Sequence, residues 1–318
     1  MKITVVGCGR WGSLITWYLD RQGQDMTLYG LEDSEQMQRF LKERRNDLLE
    51  LPESVKLTTD ITSLCGAEVI VISIGSQGLR SFMKEIEHLN LTDKTFVLCM
   101  KGIEMDTGKR LSEVASENLH PSNSIAVWIG PGHVQEFYAG IPNCMVIDSE
   151  NEAVKRYLVD NLSSDLIRFY YGTDIIGNEL GAAAKNVIGI AAGMLDGMGL
   201  STLKGALMSR GTREVARLIS AMGGKELSAY GLCHLGDYEA TVFSKFSHNR
   251  QFGESFVKGE KYTLLAEGYY TVAALHKIAQ TKGIELPICE AVYRVLYEKA
   301  DFHIEMDALF HRTLKNEF

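Results

Sequence analysis

Residues 3–13 read I-T-V-V-G-C-G-R-W-G-S, an apolar, β-branched run that passes directly into Gly7-x-Gly9-x-x-Gly12 and then into a helical pattern from about Ser13. Strand, glycine turn and helix in that order build a cradle for a pyrophosphate. The glycines allow a tight turn and close backbone approach, and the helix N-terminus presents unpaired N–H groups. The bare spacing is weak evidence, and the same glycines would also serve a purely structural turn. Its position between a strand and a helix gives it weight. Gly7, Gly9, Arg10, Trp11 and Gly12 are therefore the expected contacts to a dinucleotide.

Moving outward, short apolar runs recur at 26–30, 68–75, 95–100, 124–130, 143–148 and 165–171, separated by longer polar stretches of crossover length. Runs that are apolar on both faces indicate strands of a parallel sheet covered by helices. Strand signals stop after Gly172, and helical patterns follow at 178–196, 203–222, 261–282 and 287–299. A glycine-rich, less regular piece lies between them at 231–253. The expectation is an α/β protein: an N-terminal Rossmann-type doubly wound parallel sheet over 1–172 and an all-helical C-terminal domain over 173–318.

Composition narrows the partners. With 318 residues, 45% of them hydrophobic, the chain can bury a full core. No apolar run approaches the ~20 residues that a membrane span requires. Met1–Gly12 enters a strand with no basic leader or cleavage site, so a cytoplasmic protein is expected. Six cysteines without a C-x-x-C pair argue against disulfides and a thiolate metal site, and eight histidines show no H-x-x-x-H pair. A formal charge of −8 with no large basic cluster argues against nucleic acid. A helical second domain leaves room for a homodimer, although no seam is identifiable.

Four charged positions invite a chemical reading. Glu32 lies about 20 residues beyond Gly12, the usual interval for a carboxylate on the adenosine ribose. No Arg or Lys occurs between Gln24 and Met37 to receive a 2′-phosphate, which favours NAD over NADP. Glu32 and its neighbour Asp33 read equally as ordinary loop carboxylates. Lys101 follows the strand at 95–100, where ligands collect in open α/β sheets, or else it simply reaches water. Lys185 stands in GNELGAAAKNVIGIAAGMLDGMG (177–199), sharing a helix face with Gly181, Gly189, Ala192 and Asp196. Such a clearing of small residues admits another backbone or a ligand, and a desolvated ammonium there must find an anion. Asp196 is about 16 Å away along the helix, too far to be that anion, and is expected to serve a loop or helix end.

At this combination the sequence resembles the NAD-dependent glycerol-3-phosphate dehydrogenases over nearly its whole length. The resemblance rests on GCGRWG (7–12), MKGIE (100–104), GPGHVQE (130–136), the segment 177–199, ALMSRG (206–211), GLCHLGDYEAT (231–241), HNRQFG (248–253) and AEGYYTVAAL (266–275). It implies reduction of dihydroxyacetone phosphate to sn-glycerol 3-phosphate by NADH, and the reverse. Under it Lys185 is the catalytic acid/base, Lys101 a second cation at the carbonyl oxygen, and Asp237 the carboxylate that keeps Lys185 charged. Without it, Asp237 reads as a helix N-cap after Gly236. The resemblance further places Asn186 and Thr241 at the substrate, Asn249 and its neighbours at phosphate and cofactor, and Glu267 on the cofactor side.

The chain also departs from the family pattern. S-R-N-R has become Ser247-His248-Asn249-Arg250, and histidine cannot reproduce a bidentate, permanently charged phosphate contact. If His248 faces the phosphate, affinity should fall as pH rises through about 6–7, unless Arg250 grips the phosphate instead. Gly75 stands where proline is usual, Gly132 where serine is usual, and 201–207 lacks the usual asparagine pattern. Two alternatives follow: a related two-domain dehydrogenase acting on another hydroxy or oxo compound, and a catalytically slow NAD(H)-binding regulator.

Overall fold

The computed structural model describes residues 1–313 and 316; residues 314, 315, 317 and 318 of the expected second domain lie outside the described residues. Eight strands form one sheet in the order β3-β2-β1-β4-β5-β6-β7-β8. They are β1 Lys2–Val6, β2 Asp25–Tyr29, β3 Lys56–Thr58, β4 Val69–Ile72, β5 Thr95–Leu98, β6 Ser124–Ile129, β7 Asn143–Ser149 and β8 Ile167–Tyr171. Seven of them coincide with the apolar runs. The eighth, β3, is a three-residue edge strand whose Lys56 is exposed, so it carries no hydrophobic signature.

One expectation needs correction, because the sheet is not wholly parallel. β6 and β7 pair antiparallel, with Val127 opposite Asp148 and Trp128 opposite Ile147. The link between them holds only a five-residue helix, Val134–Tyr138. Five helical residues advance about 7.5 Å, whereas six strand residues advance about 20 Å. The link does not carry the chain back to the starting end of the sheet, and β7 runs in the reverse direction.

Helices α1 Arg10–Arg21, α2 Glu35–Glu43, α3 Leu79–Ile86, α4 Leu111–Ser116, α5 Val134–Tyr138 and α6 Glu152–Leu162 cover the sheet. Strand alternation divides the core in two. Val69 and Val71 of β4 face a layer with Leu14, Phe40, Phe137 and Leu158, while Ile70 and Ile72 face one with Phe82, Met83 and Val114. The strand order reverses about β1, whose neighbours are β2 and β4. Their carboxyl ends open a crevice where Gly7–Gly12 sits.

After Tyr171 every regular element among the described residues is helical: α7 Ile175–Gly197, α8 Lys204–Ala221, α9 His248–Val257, α10 Glu267–Lys282, α11 Pro287–Tyr297 and α12 Phe302–Phe310. Two of these, α9 and α12, lie outside the expected helical runs, and α10 begins at Glu267 instead of 261. The glycine-rich 231–253 segment is itself largely helical, with a short 3-10 turn at Leu235–Asp237, a π-turn at Glu239–Phe243 and the start of α9. Gly193 of α7 and Gly253 of α9 pack helix against helix. A Cβ at Gly193 would lie 1.9 Å from the Arg250 carbonyl oxygen, and one at Gly253 2.1 Å from that of Ile190. Backbone approach this close excludes any side chain at either position. No helix among the described residues is long and apolar enough to cross a membrane.

Candidate active site

Lys185 is brought to its position by the middle of α7, and the clearing read from the sequence is filled by the 231–257 segment. A Cβ at Gly181 would touch His234, and one at Gly189 would touch Thr241 and Asn249. The anion that Lys185 needs arrives on that same segment. Its Nζ lies 2.7 Å from Oδ2 of Asp237, a carboxylate buried to 0% exposure. Lys101, just beyond β5, also places Nζ 2.7 Å from that oxygen. One carboxylate oxygen therefore holds two ammonium groups from opposite halves of the chain.

The remaining hydrogens can be followed one by one. Lys185 donates a second to Thr241 Oγ1 at 2.7 Å, and Thr241 donates in turn to the Asp237 carbonyl at 2.7 Å. Lys101 donates a second to the Gly130 carbonyl at 2.6 Å. An ammonium has three N–H donors, so each lysine keeps one unassigned hydrogen. Burial pushes the Lys185 ammonium from its ordinary 10.5 down to about 8; Asp237 pulls it up and Lys101 pushes it down. Asn186, expected at the substrate, donates from Nδ2 to the Lys101 carbonyl at 2.9 Å and so ties α7 to the strand-end lysine. Thr241 likewise orients Lys185.

His133, which the sequence reading did not single out, belongs here. It follows Gly132, whose φ is +140°, and it packs edge-on against Phe246. Burial pushes its imidazole down to about 4, assisted by the charges of Lys185, Lys101 and Arg10. Its Nε2 is buried without a hydrogen-bond partner. The motif G-P-G-H carries the only signal that points to it.

The expected phosphate residues His248, Asn249 and Arg250 each have partners within the protein. Arg250 donates to Asp196 at 2.8 Å, Glu254 at 2.9 Å and the Ser244 carbonyl at 3.1 Å. Two carboxylates already neutralise it. Asp196 also takes Lys204 at 2.5 Å, the helix-end role expected of it. His248 receives a hydrogen bond at Nε2 from Arg10 Nη1 at 2.6 Å and approaches the Leu265 carbonyl with Nδ1 at 3.3 Å. A guanidinium can only donate, so Nε2 must be a lone pair and the ring neutral. Burial and Arg10 lower its pKa, in agreement. His248 thus offers Arg10 a neutral acceptor. Asn249 accepts the Gly268 N–H at 2.9 Å, and Glu267 accepts the Ser76 N–H at 2.9 Å together with the Ser76 hydroxyl. Glu267 thus clamps the loop after β4 to the start of α10.

The glycine turn suits a dinucleotide. Gly7 has φ +104°, and a Cβ there would strike the Ser73 carbonyl; one at Gly12 would strike the Gly7 carbonyl. At Gly9, by contrast, nothing lies within 4 Å of an added Cβ, and α1 has no side-chain cap. This leaves open approach to the N–H groups of the first turn, as a pyrophosphate needs. The Trp11 ring packs against Phe137. Glu32 and Asp33 are exposed between β2 and α2. A separate cavity of about 940 Å³ lies among α7, α8, α11 and α12, lined by Met194, Leu207, Val295 and Met306, and contains none of these groups. Among the described residues no group of His, Cys, Asp and Glu could hold a metal.

Two family models match the chain: the NAD-dependent glycerol-3-phosphate dehydrogenase N-terminus over residues 2–155 and the C-terminus of the same family over 174–307. The chain belongs to the NAD-dependent glycerol-3-phosphate dehydrogenase family. It is 34% identical to a glycerol-3-phosphate dehydrogenase, NAD(P)+, of an Exiguobacterium species, covering 99% of this chain and 97% of the relative. It is 33% identical to one from a Thermoanaerobacter species, covering 100% and 99%. The crystal structure of glycerol-3-phosphate dehydrogenase from Coxiella burnetii superimposes with TM-score 0.92 at 30% identity, covering 98% of this chain and 99% of that one. In all three the likeness extends over both the sheet and the helical half.

Proposed function

We propose that this protein interconverts dihydroxyacetone phosphate and sn-glycerol 3-phosphate, with Lys185 as acid/base. The observation that carries the reading is the pair of ammonium groups on Asp237 Oδ2, each with one N–H left over, at the carboxyl end of the sheet beside the glycine turn. A nicotinamide dinucleotide, when bound along Gly7–Gly12, would supply or take up the hydride.

As negative charge develops on the substrate carbonyl oxygen, the two ammonium groups that Asp237 already holds in place would stabilise it through their remaining N–H groups. Asp237 and Thr241 fix Lys185 so that its remaining hydrogen is the one presented for transfer to oxygen. The lysine needs to surrender that proton in reduction and recover it in oxidation, and a pKa of about 8 serves both directions near neutrality. Lys101, more exposed and held by the Gly130 carbonyl, supplies the second positive charge at that oxygen. Asp237 offsets one of the two positive charges, which permits both lysines to share a small volume. The division at 172/173 assigns the cofactor to the sheet half and the proton chemistry to the helical half.

For the cofactor we favour NAD over NADP. Glu32 and Asp33 stand at the end of β2, where a carboxylate would meet the ribose hydroxyls and repel a 2′-phosphate. Oxidation of NADH and NADPH, each followed by absorbance with dihydroxyacetone phosphate and with a panel of 2- and 3-oxo acids, tests substrate and cofactor together. Faster turnover of an oxo acid, or a preference for NADPH, refutes the corresponding half of the reading.

A further inference from the structure

Arg10 is a half-buried guanidinium with no carboxylate in ion-pair range among the described residues. Both of its side-chain partners are neutral acceptors: His248 Nε2 at 2.6 Å and Gln135 Oε1 at 3.3 Å. Two of its five N–H donors are thereby used, and Nε together with one hydrogen on each Nη stays free. A buried guanidinium braced by uncharged groups, with its charge uncompensated, is prepared for an anion that the protein does not itself provide. Arg250, the other arginine of this region, is neutralised by Asp196 and Glu254.

Its position fixes which anion. Gln135 belongs to the same short segment as His133, whose imidazole lies within electrostatic reach of Lys185, Lys101, Asp237 and Arg10 together. The 133–135 segment thus neighbours both the lysine pair and the guanidinium. A small substrate with its carbonyl at the lysines would extend its other end toward Arg10. Resting on the reading of the function given above, we infer that Arg10 grips the phosphomonoester of the substrate, and that His248 is a positioning residue that aims it from across the crevice. Arg10 then belongs to the substrate and not, as its place in the glycine turn suggests, to the pyrophosphate of the dinucleotide.

The test separates the two phosphates. In Arg10→Ala, KM for dihydroxyacetone phosphate should rise roughly 10- to 100-fold, the loss expected for a charged hydrogen-bonded contact. The affinity for NADH, measured by calorimetry, should stay within twofold of the unaltered protein. Arg10→Lys, which keeps the charge without the fork, should fall between them. His248→Leu should raise the same KM, and His248→Gln, which retains an acceptor, should restore it. Binding of inorganic phosphate, weakened in Arg10→Ala, gives a readout without turnover, so a failure of the proposed reaction would leave this inference still tested. A KM within twofold of the unaltered value in Arg10→Ala, or a loss of NADH affinity in its place, overturns it.

Discussion

The ammonium groups of Lys101 and Lys185 each lie 2.7 Å from the same oxygen, Oδ2 of Asp237. The carboxylate is a hinge pin for the chemistry, since it reaches the strand-end lysine on one side and the helix lysine on the other. Removing Lys185 while keeping its bulk, as in Lys185→Met, should lower kcat by about 10²- to 10⁴-fold, the usual contribution of a positioned acid or base. NADH affinity should not change. A variant that keeps more than a tenth of the rate would show that another group delivers the proton.

The same geometry fixes the sign of the pH dependence. In the proposed reaction, reduction needs Lys185 protonated, so its rate should fall as pH rises through about 8; oxidation needs the free amine and should rise over the same interval. Lys101 lowers the Lys185 pKa and Asp237 raises it. Lys101→Met should therefore move the alkaline limb of the reduction profile to higher pH, and Asp237→Asn should move it to lower pH. Both variants will be slow, but the displacement is read from the shape of the profile and not from its height. Shifts in the same direction for the two would contradict the shared-oxygen arrangement.

Packing between α7 and α9 sets a third outcome. A Cβ at Gly193 would lie 1.9 Å from the Arg250 carbonyl oxygen and 2.9 Å from the Glu254 nitrogen, both backbone atoms that cannot swing away. Gly193→Ala should destabilise by about 1–3 kcal/mol or more through overpacking, visible as a lower Tm. Because α9 carries His248 and Asn249 at its start, the same displacement should raise KM for the phosphorylated substrate more than it lowers kcat. Gly199→Ala is the contrasting control: φ there is +72° and nothing lies within 4 Å, so its cost should be backbone strain alone, with KM unchanged.

Much of this site was legible in the residues because the relevant signals are local. The glycine turn follows its strand within three residues, and the clearing around Lys185 lies on one helix face. That Lys185 must find an anion followed from burial alone; that the anion is Asp237 came from family likeness, since the two are 52 positions apart and only packing joins them. The reversal of β7 was hidden because a short link and a crossover look alike when both are polar. α9 was hidden because Gly253, which ordinarily argues against a helix, is required there by the Ile190 backbone. The charge state of His248 was not legible for a related reason: it is set by Arg10, 238 positions away, and no local pattern reports that contact.

His133 provides the last outcome. Its Nε2 is buried with no partner, and its pKa, pushed down to about 4 by burial, leaves the ring neutral at ordinary pH. An unsatisfied buried polar atom costs about 1–3 kcal/mol, which a purely structural position would not retain. If a substrate oxygen or hydroxyl completes it, then His133→Phe, which keeps the edge contact to Phe246 and removes the orphan nitrogen, should leave the Tm of the ligand-free protein unchanged or slightly higher. The rise in Tm on adding glycerol 3-phosphate should shrink at the same time, because the variant has nothing to offer the ligand. Stability and ligand response would then move in opposite directions, the behaviour of a group kept for binding. A lower Tm with an undiminished ligand response would make His133 a packing residue of the loop after β6 and remove it from the site.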